Sequence, residues 1–327
     1  MSLLDAMVHG TGAVQRRAMA KAITLLESSR ADHRVQADAL LTALLPHAGQ
    51  SFRLGISGVP GVGKSTLIEA LGLHLIEKGH RVAVLTIDPS SSVSGGSILG
   101  DKTRMEKLSV HERAFIRPSP SSGTLGGVAA MTREAMLVCE AAGYDVVIVE
   151  TVGVGQSETT VSDMTDMFVL MQLPNAGDDL QAIKKGVMEL ADLVLINKAD
   201  MDAMAAQRAQ QHITSAMHMH NRADAHDARQ WQSKALLISA LSAQGVDAFW
   251  AAALEFKALR TSSGQFAARR QQQGLAWMWA AIHTGLKQRF DLHPAVQAML
   301  PGLTADVAAG QVAASVAARN LLLAFEK

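Results

Sequence analysis

Residues 58–66 read Gly58-Val59-Pro60-Gly61-Val62-Gly63-Lys64-Ser65-Thr66, and they match the phosphate-loop pattern G-x-x-x-x-G-K-[ST] without departure. The glycines allow consecutive backbone N–H groups to turn inward around a β-phosphate. We expect Lys64 to reach the β- and γ-oxygens and the Ser65 hydroxyl to ligate Mg²⁺. An apolar run precedes the loop and an amphipathic helical pattern follows it, so the sequence predicts a nucleotide site rather than an accidental glycine-rich turn.

Short apolar runs alternate with helical patterns from Phe52 onward, which is typical of a parallel sheet covered by helices on both faces. The predicted strands are 53–57, 82–87, 114–117, 146–149, 167–171, 193–196 and 236–238. Ligands of such sheets bind beyond the carboxyl ends of the strands. The predicted fold class is therefore α/β, a P-loop NTPase domain with a wound, mostly parallel sheet.

Two aspartates follow the second predicted strand in polar loops. Asp88 opens the serine-rich turn 88–92, and Asp101 lies in the glycine-rich stretch 95–104. A carboxylate at a strand end can hold a magnesium-bound water or orient an attacking one, and a glycine-rich loop can respond to a γ-phosphate. The alternative is that Asp88 only caps its turn and that Asp101 is only exposed. We favour the functional interpretation for both.

The fourth predicted strand ends in Glu150-Thr151-Val152-Gly153, at the place of the D-x-x-G element of GTP-binding proteins. We expect Glu150 to contact magnesium through water and the Gly153 N–H to bond the γ-phosphate. The following residues then form a switch segment. Gln156 and Glu158 are both candidates to position the attacking water, and neither is assigned that role.

The sixth predicted strand leads into Asn197-Lys198-Ala199-Asp200, which is N-K-x-D. The Asp200 carboxylate can accept from the N1–H and 2-amino groups of guanine, and adenine offers no such pair of donors. The Lys198 stem can pack along the base, and Asn197 can connect this loop to the phosphate loop. A further strand ends in Ser239-Ala240-Leu241, where a backbone N–H can contact guanine O6. In this order the motifs predict binding of GTP and GDP.

Composition excludes several other functions. Lys plus Arg and Asp plus Glu both number 30, so we expect neither nucleic acid nor an anionic membrane as partner. The single cysteine, Cys139, lies in an apolar helical pattern and is expected to be a packed core thiol. The four histidines between His212 and His226 are interpreted as a polar helix end and surface loop rather than a metal site. Without a secretion signal or membrane span, a cytoplasmic location is expected.

Helical patterns flank the predicted nucleotide domain. Residues 1–50 form an N-terminal helical extension with patterns at 11–29 and 33–45, residues 51–255 form the GTPase domain, and residues 256–327 form a C-terminal helical arm. In the arm we expect helices at 256–289 and 295–300, a break at Pro301-Gly302 and a last helix from 304 to 325. The apolar faces of these helices need a partner, and a second copy of the chain is preferred, which predicts a homodimer.

The motifs together resemble the ArgK/MeaB family of G proteins. The resemblance rests on the phosphate loop and on the following stretches: Ile87-Asp88-Pro89-Ser90-Ser91, Gly100-Asp101-Lys102-Thr103-Arg104-Met105, 117–127 (RPSPSSGTLGG), 150–158 (ETVGVGQSE) and Asn197-Lys198-Ala199-Asp200. It covers nearly the whole chain. It implies a homodimeric GTPase that binds an adenosylcobalamin-dependent acyl-CoA mutase of the methylmalonyl-CoA mutase type, gates cofactor loading and protects the mutase.

The same resemblance implies that Lys64, Ser65, Asp88, Asp101 and Glu150 surround the triphosphate and Mg²⁺, and that 177–185 is an additional switch loop. Asp179 departs from the glutamate expected there. Methylmalonyl-, isobutyryl- and hydroxyisobutyryl-CoA mutases are all compatible partners. Two alternatives share the nucleotide core. A nickel-insertion GTPase should carry Cys and His ligands near the switches, and a kinase would pass phosphate to a protein or small molecule.

Overall fold

The computed structural model describes residues 2–28, 30–87, 105–118, 125–151, 157–174, 185–220 and 231–326. Seven strands in this part of the chain form one sheet in the order β3-β2-β4-β1-β5-β6-β7, and every pair is parallel. The strands are β1 (Phe52–Gly58), β2 (Val82–Ile87), β3 (Ala114–Arg117), β4 (Val146–Thr151), β5 (Met167–Gln172), β6 (Leu193–Ile196) and β7 (Lys234–Leu237). The predicted α/β fold with a parallel sheet is confirmed.

The described helices surround this sheet and extend the chain at both ends. They are α1 (Leu3–Val8), α2 (Gly12–Leu26), α3 (Ala31–Leu44), α4 (Lys64–Glu77), α5 (Glu106–Val110), α6 (Leu125–Ala141), α7 (Ser157–Ser162), α8 (Lys185–Glu189), α9 (Ala203–His220), α10 (Val246–Ser262), α11 (Gln265–Leu292), α12 (Pro294–Ala308) and α13 (Ala314–Phe325). Within those ranges no helix has the length and apolar character that crossing a membrane requires.

The central strand β1 is buried along its whole length, because β4 and β5 flank it and helices cover both faces. Leu54 and Ile56 point into the main apolar cluster, which α4 and α10 also line. Gly55 points to the opposite face. A Cβ there would lie 2.7 Å from both Thr165 Oγ1 and Val161 Cγ1, so glycine is what allows α7 to approach the sheet this closely.

Three aspartates at the amino ends of the strands join neighbouring strands through side-chain hydrogen bonds. Each immediately precedes its own strand and accepts a backbone N–H at or beside the start of the next strand in the sheet. The pairs are Asp145 with Arg81 (2.7 Å), Asp166 with Arg53 (2.7 Å) and Asp192 with Phe168 (2.8 Å). These bonds satisfy backbone donors that the parallel ladder leaves unused at its edge.

A buried ion pair lies beside these aspartates. Arg53 Nε donates to Glu140 Oε1 at 2.6 Å, and the two side chains are 6% and 1% exposed. Burial raises the pKa of Glu140, but the hydrogen bonds from Arg53, Ser51 and Gly49 outweigh it and hold the pKa below its usual value of 4.5. Glu140 therefore stays ionised in the folded protein.

The predicted strands at 82–87, 114–117 and 193–196 are confirmed with the same bounds, and those at 53–57, 146–149 and 167–171 are confirmed within slightly longer strands. The last strand, predicted at 236–238, lies at Lys234–Leu237 instead. Lys234 was excluded because of its charge. Its amine reaches Glu255 at 2.6 Å and lies over the Trp231 ring, so the charge is accommodated at the edge of the sheet.

The predicted helix break at Pro301-Gly302 is wrong. α12 continues through Pro301, and the chain turns instead around Gly310, whose φ of +70° suits a glycine after a helix end. Pro301 removes one helical hydrogen bond, and the turns on both sides keep the remaining bonds. The long helix predicted from residue 256 is likewise divided, because Gly264, with φ +75°, separates α10 from α11. The N-terminal patterns are confirmed as α2 and α3, and α1 was missed.

The chain divides into two compact units, Met1–Gln273 and Gly274–Lys327. The second unit has its own small apolar centre. There the Phe325 ring packs against Phe290 and His293 with ring centroids 5.6 and 5.4 Å apart, and Val296 and Leu321 are buried. The three-part division at residues 50 and 255 stays a prediction.

Glu140→Gln tests the buried ion pair. The variant leaves Arg53 buried without a countercharge, so we expect the free energy of unfolding at neutral pH to fall by about 3 kcal/mol. Because the folded pKa of Glu140 lies below its unfolded value of 4.5, its stabilisation is present above that value and is lost as pH falls through the folded pKa. Urea denaturation of both proteins from neutral to acidic pH should show the difference shrinking below about pH 4.5.

The control is Glu77→Gln, because Glu77 is exposed at the end of α4. This variant should stay within about 0.5 kcal/mol of the parent at every pH. A constant difference between Glu140→Gln and the parent across the acidic range would contradict the assignment of an ionised Glu140.

Candidate functional site

The phosphate loop connects β1 to α4 at the carboxyl edge of the sheet. Gly58 has φ +152°, and a Cβ on it would lie 2.6 Å from the Met171 carbonyl oxygen. Gly63 is the N-cap of α4 with φ +97°. Only glycine suits these two positions, since one lacks space and both lie in the region that side chains disfavour. The loop thus presents the amino end of α4, where backbone donors and the helix dipole favour an anion.

Lys64 folds back over this loop. Its amine donates to the Gly58 carbonyl at 2.8 Å and to the Val59 carbonyl at 3.4 Å, and the residue is 8% exposed. Pro60 and Gly61 are exposed at the crest of the loop, whereas Val62 is fully buried beneath it. The cation of Lys64 is therefore held at the place where the loop can receive phosphate oxygens.

Ser65 and Glu150 meet between α4 and the end of β4. The Ser65 hydroxyl donates to Glu150 Oε1 at 3.2 Å, and Glu150 is 4% exposed. Glu150 lies in register with Ile56 of β1 and Thr86 of β2, so the sheet fixes its backbone from both sides. A hydroxyl and a carboxylate are the hard oxygen ligands that Mg²⁺ takes, and the two predicted metal residues therefore fit such an ion.

A second polar pair lies beside this one. The Ser57 and Thr151 hydroxyls are 2.8 Å apart, and both residues are 0% exposed. Glu158, near the start of α7, is also buried. Sequence analysis assigned no role to Ser57 or Thr151. The available signal was a small polar residue at the end of an otherwise apolar strand.

Asn197 joins the base-reading loop to the phosphate loop. Its Nδ2 donates to the Val62 carbonyl at 2.7 Å, and its Oδ1 accepts from the Ala240 N–H at 2.9 Å. The residue is 2% exposed. A Cβ on Gly63 would lie 2.5 Å from Asn197 Nδ2, so the glycine of the phosphate loop and this asparagine depend on each other. The predicted connection between the two loops is present.

Lys198 and Asp200 follow at the rim of the sheet. Lys198 has φ +62°, which turns the chain sharply after β6, and the Ala199 N–H donates to the Ile238 carbonyl at 3.1 Å. Lys198 is half-buried and Asp200 is exposed. This arrangement leaves the Asp200 carboxylate available to a base at the edge of the sheet.

The Ser239-Ala240-Leu241 turn closes the same end of the sheet. Ser239 and Gln244 exchange backbone hydrogen bonds of 3.0 and 3.1 Å, and the Leu241 side chain is 88% exposed. Because the Ala240 N–H donates to Asn197, contact between this turn and guanine O6 stays a prediction.

Several predicted site residues lie outside the described residues. They are Asp88, Asp101, Gly153, Gln156 and the stretch 177–184. Among the predicted residues that are described, the structure brings Ser65 together with Glu150, and Asn197 together with the phosphate loop. Cys139 is fully buried on α6, and burial raises the pKa of its thiol, as expected for a packed core residue.

Comparison with known proteins gives a family match over most of the chain. The family model described as "Methylmalonyl Co-A mutase-associated GTPase MeaB" matches residues 19–295. A Caulobacter vibrioides protein named "Putative GTPase" is 54% identical over 322 residues, covering 98% of each chain. GTPase ArgK of Escherichia coli is 52% identical over 265 residues, covering 81% of this chain and 79% of its own.

A solved structure supports the same assignment. The crystal structure of LAO/AO transport system kinase superposes with a TM-score of 0.75 at 37% identity, and the match covers 96% of this chain and 94% of the other. Since the match extends over nearly both chains, the similarity includes the helices that flank the sheet.

Asn197→Ala tests the link between the two loops. The change leaves the Val62 carbonyl and the Ala240 N–H without their partner in a buried place, so we expect a loss of about 2 kcal/mol in unfolding free energy. Guanine nucleotides should also bind at least tenfold more weakly, since the phosphate loop and the base loop are no longer held in one geometry. Chemical denaturation and fluorescent GDP titration measure the two effects.

The matched control is Asn320→Ala, because Asn320 is exposed on α13. Both its stability and its nucleotide affinity should equal those of the parent. Unchanged GDP affinity in Asn197→Ala would show that the two loops keep their positions without this side chain.

Proposed function

The chain belongs to the MeaB family of methylmalonyl-CoA mutase-associated GTPases, and from this premise we propose that it is the GTP-driven chaperone of an adenosylcobalamin-dependent acyl-CoA mutase. In this role it gates loading of the intact cofactor and protects or reactivates the mutase in the cytoplasm. Hydrolysis of GTP is the activity of the family. The mutase partner and the chaperone role are the proposal.

One observation carries the proposal, namely the double hydrogen bond of Asn197. It places a guanine-reading loop and a phosphate loop in one rigid unit at the carboxyl edge of the sheet. A nucleotide that spans both loops must carry a suitable base and a phosphate chain together. The family description supplies the partner, and this geometry supplies the nucleotide.

We assign the residues at the phosphate end as follows. Lys64 neutralises charge on the β- and γ-phosphates, and Ser65, Asp88, Asp101 and Glu150 hold Mg²⁺ directly or through water. The 3.2 Å contact between Ser65 and Glu150 supports this donor set. When bound, Mg²⁺ neutralises the charge that develops on the phosphate oxygens during transfer to water.

At the base end, Asp200 accepts from the guanine N1–H and 2-amino groups, and the Lys198 stem lies along the ring. Gly153 donates its N–H to the γ-phosphate and so senses its presence. The segment that follows Glu150 changes shape when this phosphate leaves, and the mutase responds to that change. Because no residue is assigned to activate the attacking water, we expect slow intrinsic hydrolysis and stimulation by the partner.

A homodimer is the second part of the proposal. Five large apolar side chains of α11 are well exposed at helical spacing. They are Leu275 (55%), Met278 (47%), Trp279 (56%), Ile282 (39%) and Leu286 (51%). A stripe of this size on one helix face is typical of a protein interface. A second copy of the chain presents the same stripe, so a symmetric contact covers both.

A reconstituted hydrolysis assay tests the mutase partnership. We expect an adenosylcobalamin-dependent methylmalonyl-CoA mutase to raise the rate of GTP hydrolysis by about tenfold or more, because the partner completes the catalytic site. The control is Lys64→Ala, which loses the phosphate-binding cation and should show no stimulated turnover. Phosphate release and mutase pull-down with a non-hydrolysable GTP analogue measure activity and binding.

Turnover that no acyl-CoA mutase changes would contradict the chaperone role. Transfer of the γ-phosphate to a protein or small molecule instead of water would favour a kinase.

Ile282→Glu tests the dimer. A carboxylate in the apolar stripe should weaken self-association by roughly 3 kcal/mol, which is about a hundredfold in Kd. Light scattering after size-exclusion chromatography should show a dimer for the parent and a monomer for the variant. Gln288→Glu introduces the same charge at an exposed position away from the stripe and should remain dimeric. A parent protein that is monomeric at all concentrations would overturn the assignment.

A further inference from the structure

The first turns of α11, residues Gln265–Gln273, are fixed to the amino edge of the sheet by Arg270. Its guanidinium donates to both carboxylate oxygens of Asp166, at 2.7 and 2.6 Å, and to the Gly49 and Ser51 carbonyls, each at 2.6 Å. The side chain is 15% exposed. Asp166 already accepts from the Arg53 N–H, so Arg270 completes a buried network on the central strand. We call residues 265–273 the arm root.

Two neighbours of Arg270 in the arm root contact the end of α7. Arg269 Nη2 donates to the Ser162 carbonyl at 3.1 Å, and Gln273 Nε2 donates to the Thr165 carbonyl at 2.9 Å. Gln273 is 7% exposed. Arg269 is also 3.6 Å from Asp192, the aspartate that joins the starts of β5 and β6.

These donors meet a specific need of α7. A helix leaves its last carbonyls without helical partners, and its carboxyl end carries partial negative charge. α7 has only six residues, Ser157–Ser162, so its end lies close to its start. The Arg269 and Gln273 side chains therefore hold α7 at its carboxyl end, while its amino end follows directly on the segment that begins at Glu150.

We propose that Arg269 and Gln273 are positioning residues that couple the nucleotide site to the C-terminal arm through α7. The inference rests on the proposed role of residues 150–158 as a γ-phosphate switch. When the switch changes shape it displaces α7, and the two side chains pass that displacement to the arm root. Arg270 keeps the root attached, and α11 continues without interruption from Gln265 to Leu292.

Linkage makes the coupling reciprocal. If GTP and GDP place α7 differently, then a partner that binds the arm shifts the relative affinity for the two nucleotides by the same factor. The physical requirement is an element with two positions that both sites influence. α7 meets this requirement because it contacts the switch at one end and the arm root at the other.

Hydrogen exchange of the full chain tests the coupling, with GDP and with a non-hydrolysable GTP analogue. In the parent we expect exchange to differ between the two nucleotides both at residues 157–165 and at residues 275–292. In the double variant Arg269→Ala with Gln273→Leu, the difference at 157–165 should persist and the difference at 275–292 should be lost. Arg269→Lys, which keeps one cationic donor, should restore part of the response in the arm.

The matched control combines Arg289→Ala with Gln272→Ala, which changes an exposed arginine and an exposed glutamine of the same helix. It should respond like the parent. Thermal unfolding checks that the double variant is folded, and Gln273→Leu alone serves as the second variant if it is not.

The possible failures are distinguishable. If residues 157–165 show no response to nucleotide in the parent, the proposed switch is wrong, and with it the coupling. If they respond but residues 275–292 of the parent do not, or if the double variant keeps the response of the arm, only the coupling is overturned.

Discussion

Parallel pairing of every strand in the described sheet gives its two edges different chemistry, and the rest of the structure depends on this constraint. At the carboxyl edge the chain leaves each strand into a loop, so loops distant in sequence meet there and can surround one ligand. At the amino edge the chain enters each strand, and backbone donors there need acceptors. Asn197 serves the first edge, and the three aspartates before β4, β5 and β6 serve the second.

The carboxyl edge could be predicted from sequence because its residues are read in short motifs. Gly63 and Lys64 belong to one nine-residue stretch, and Asn197 belongs to a four-residue stretch after an apolar strand. Each stretch specifies its own local geometry, and their order along the chain fixes how they meet. The amino edge could not be predicted in this way. Asp166 pairs with a residue 113 positions earlier and with Arg270, 104 positions later, and no local pattern records either partner.

The misassigned elements have the same explanation. Pro301 predicts a break by its local preference, and the surrounding turns of α12 override that preference. α1 is too short to show a periodic pattern, and it is recognised only by its cap, where Ser2 and Asp5 exchange hydrogen bonds. Local signals thus predicted element type well and element ends poorly, because ends depend on contacts made after folding.

The buried charges at the amino edge serve position more than stability. Replacing a buried ion pair by well-packed apolar residues is often neutral or stabilising, so Arg53 with Glu140 and Arg270 with Asp166 need not add net stability. Their geometry instead admits one arrangement, since four acceptors converge on the Arg270 guanidinium. The central strand is held at this edge and carries the phosphate loop at the other, so β1 is too constrained to transmit a signal. A short helix packed on glycine beside that strand, as α7 is on Gly55, is the element that can move between two well-defined positions.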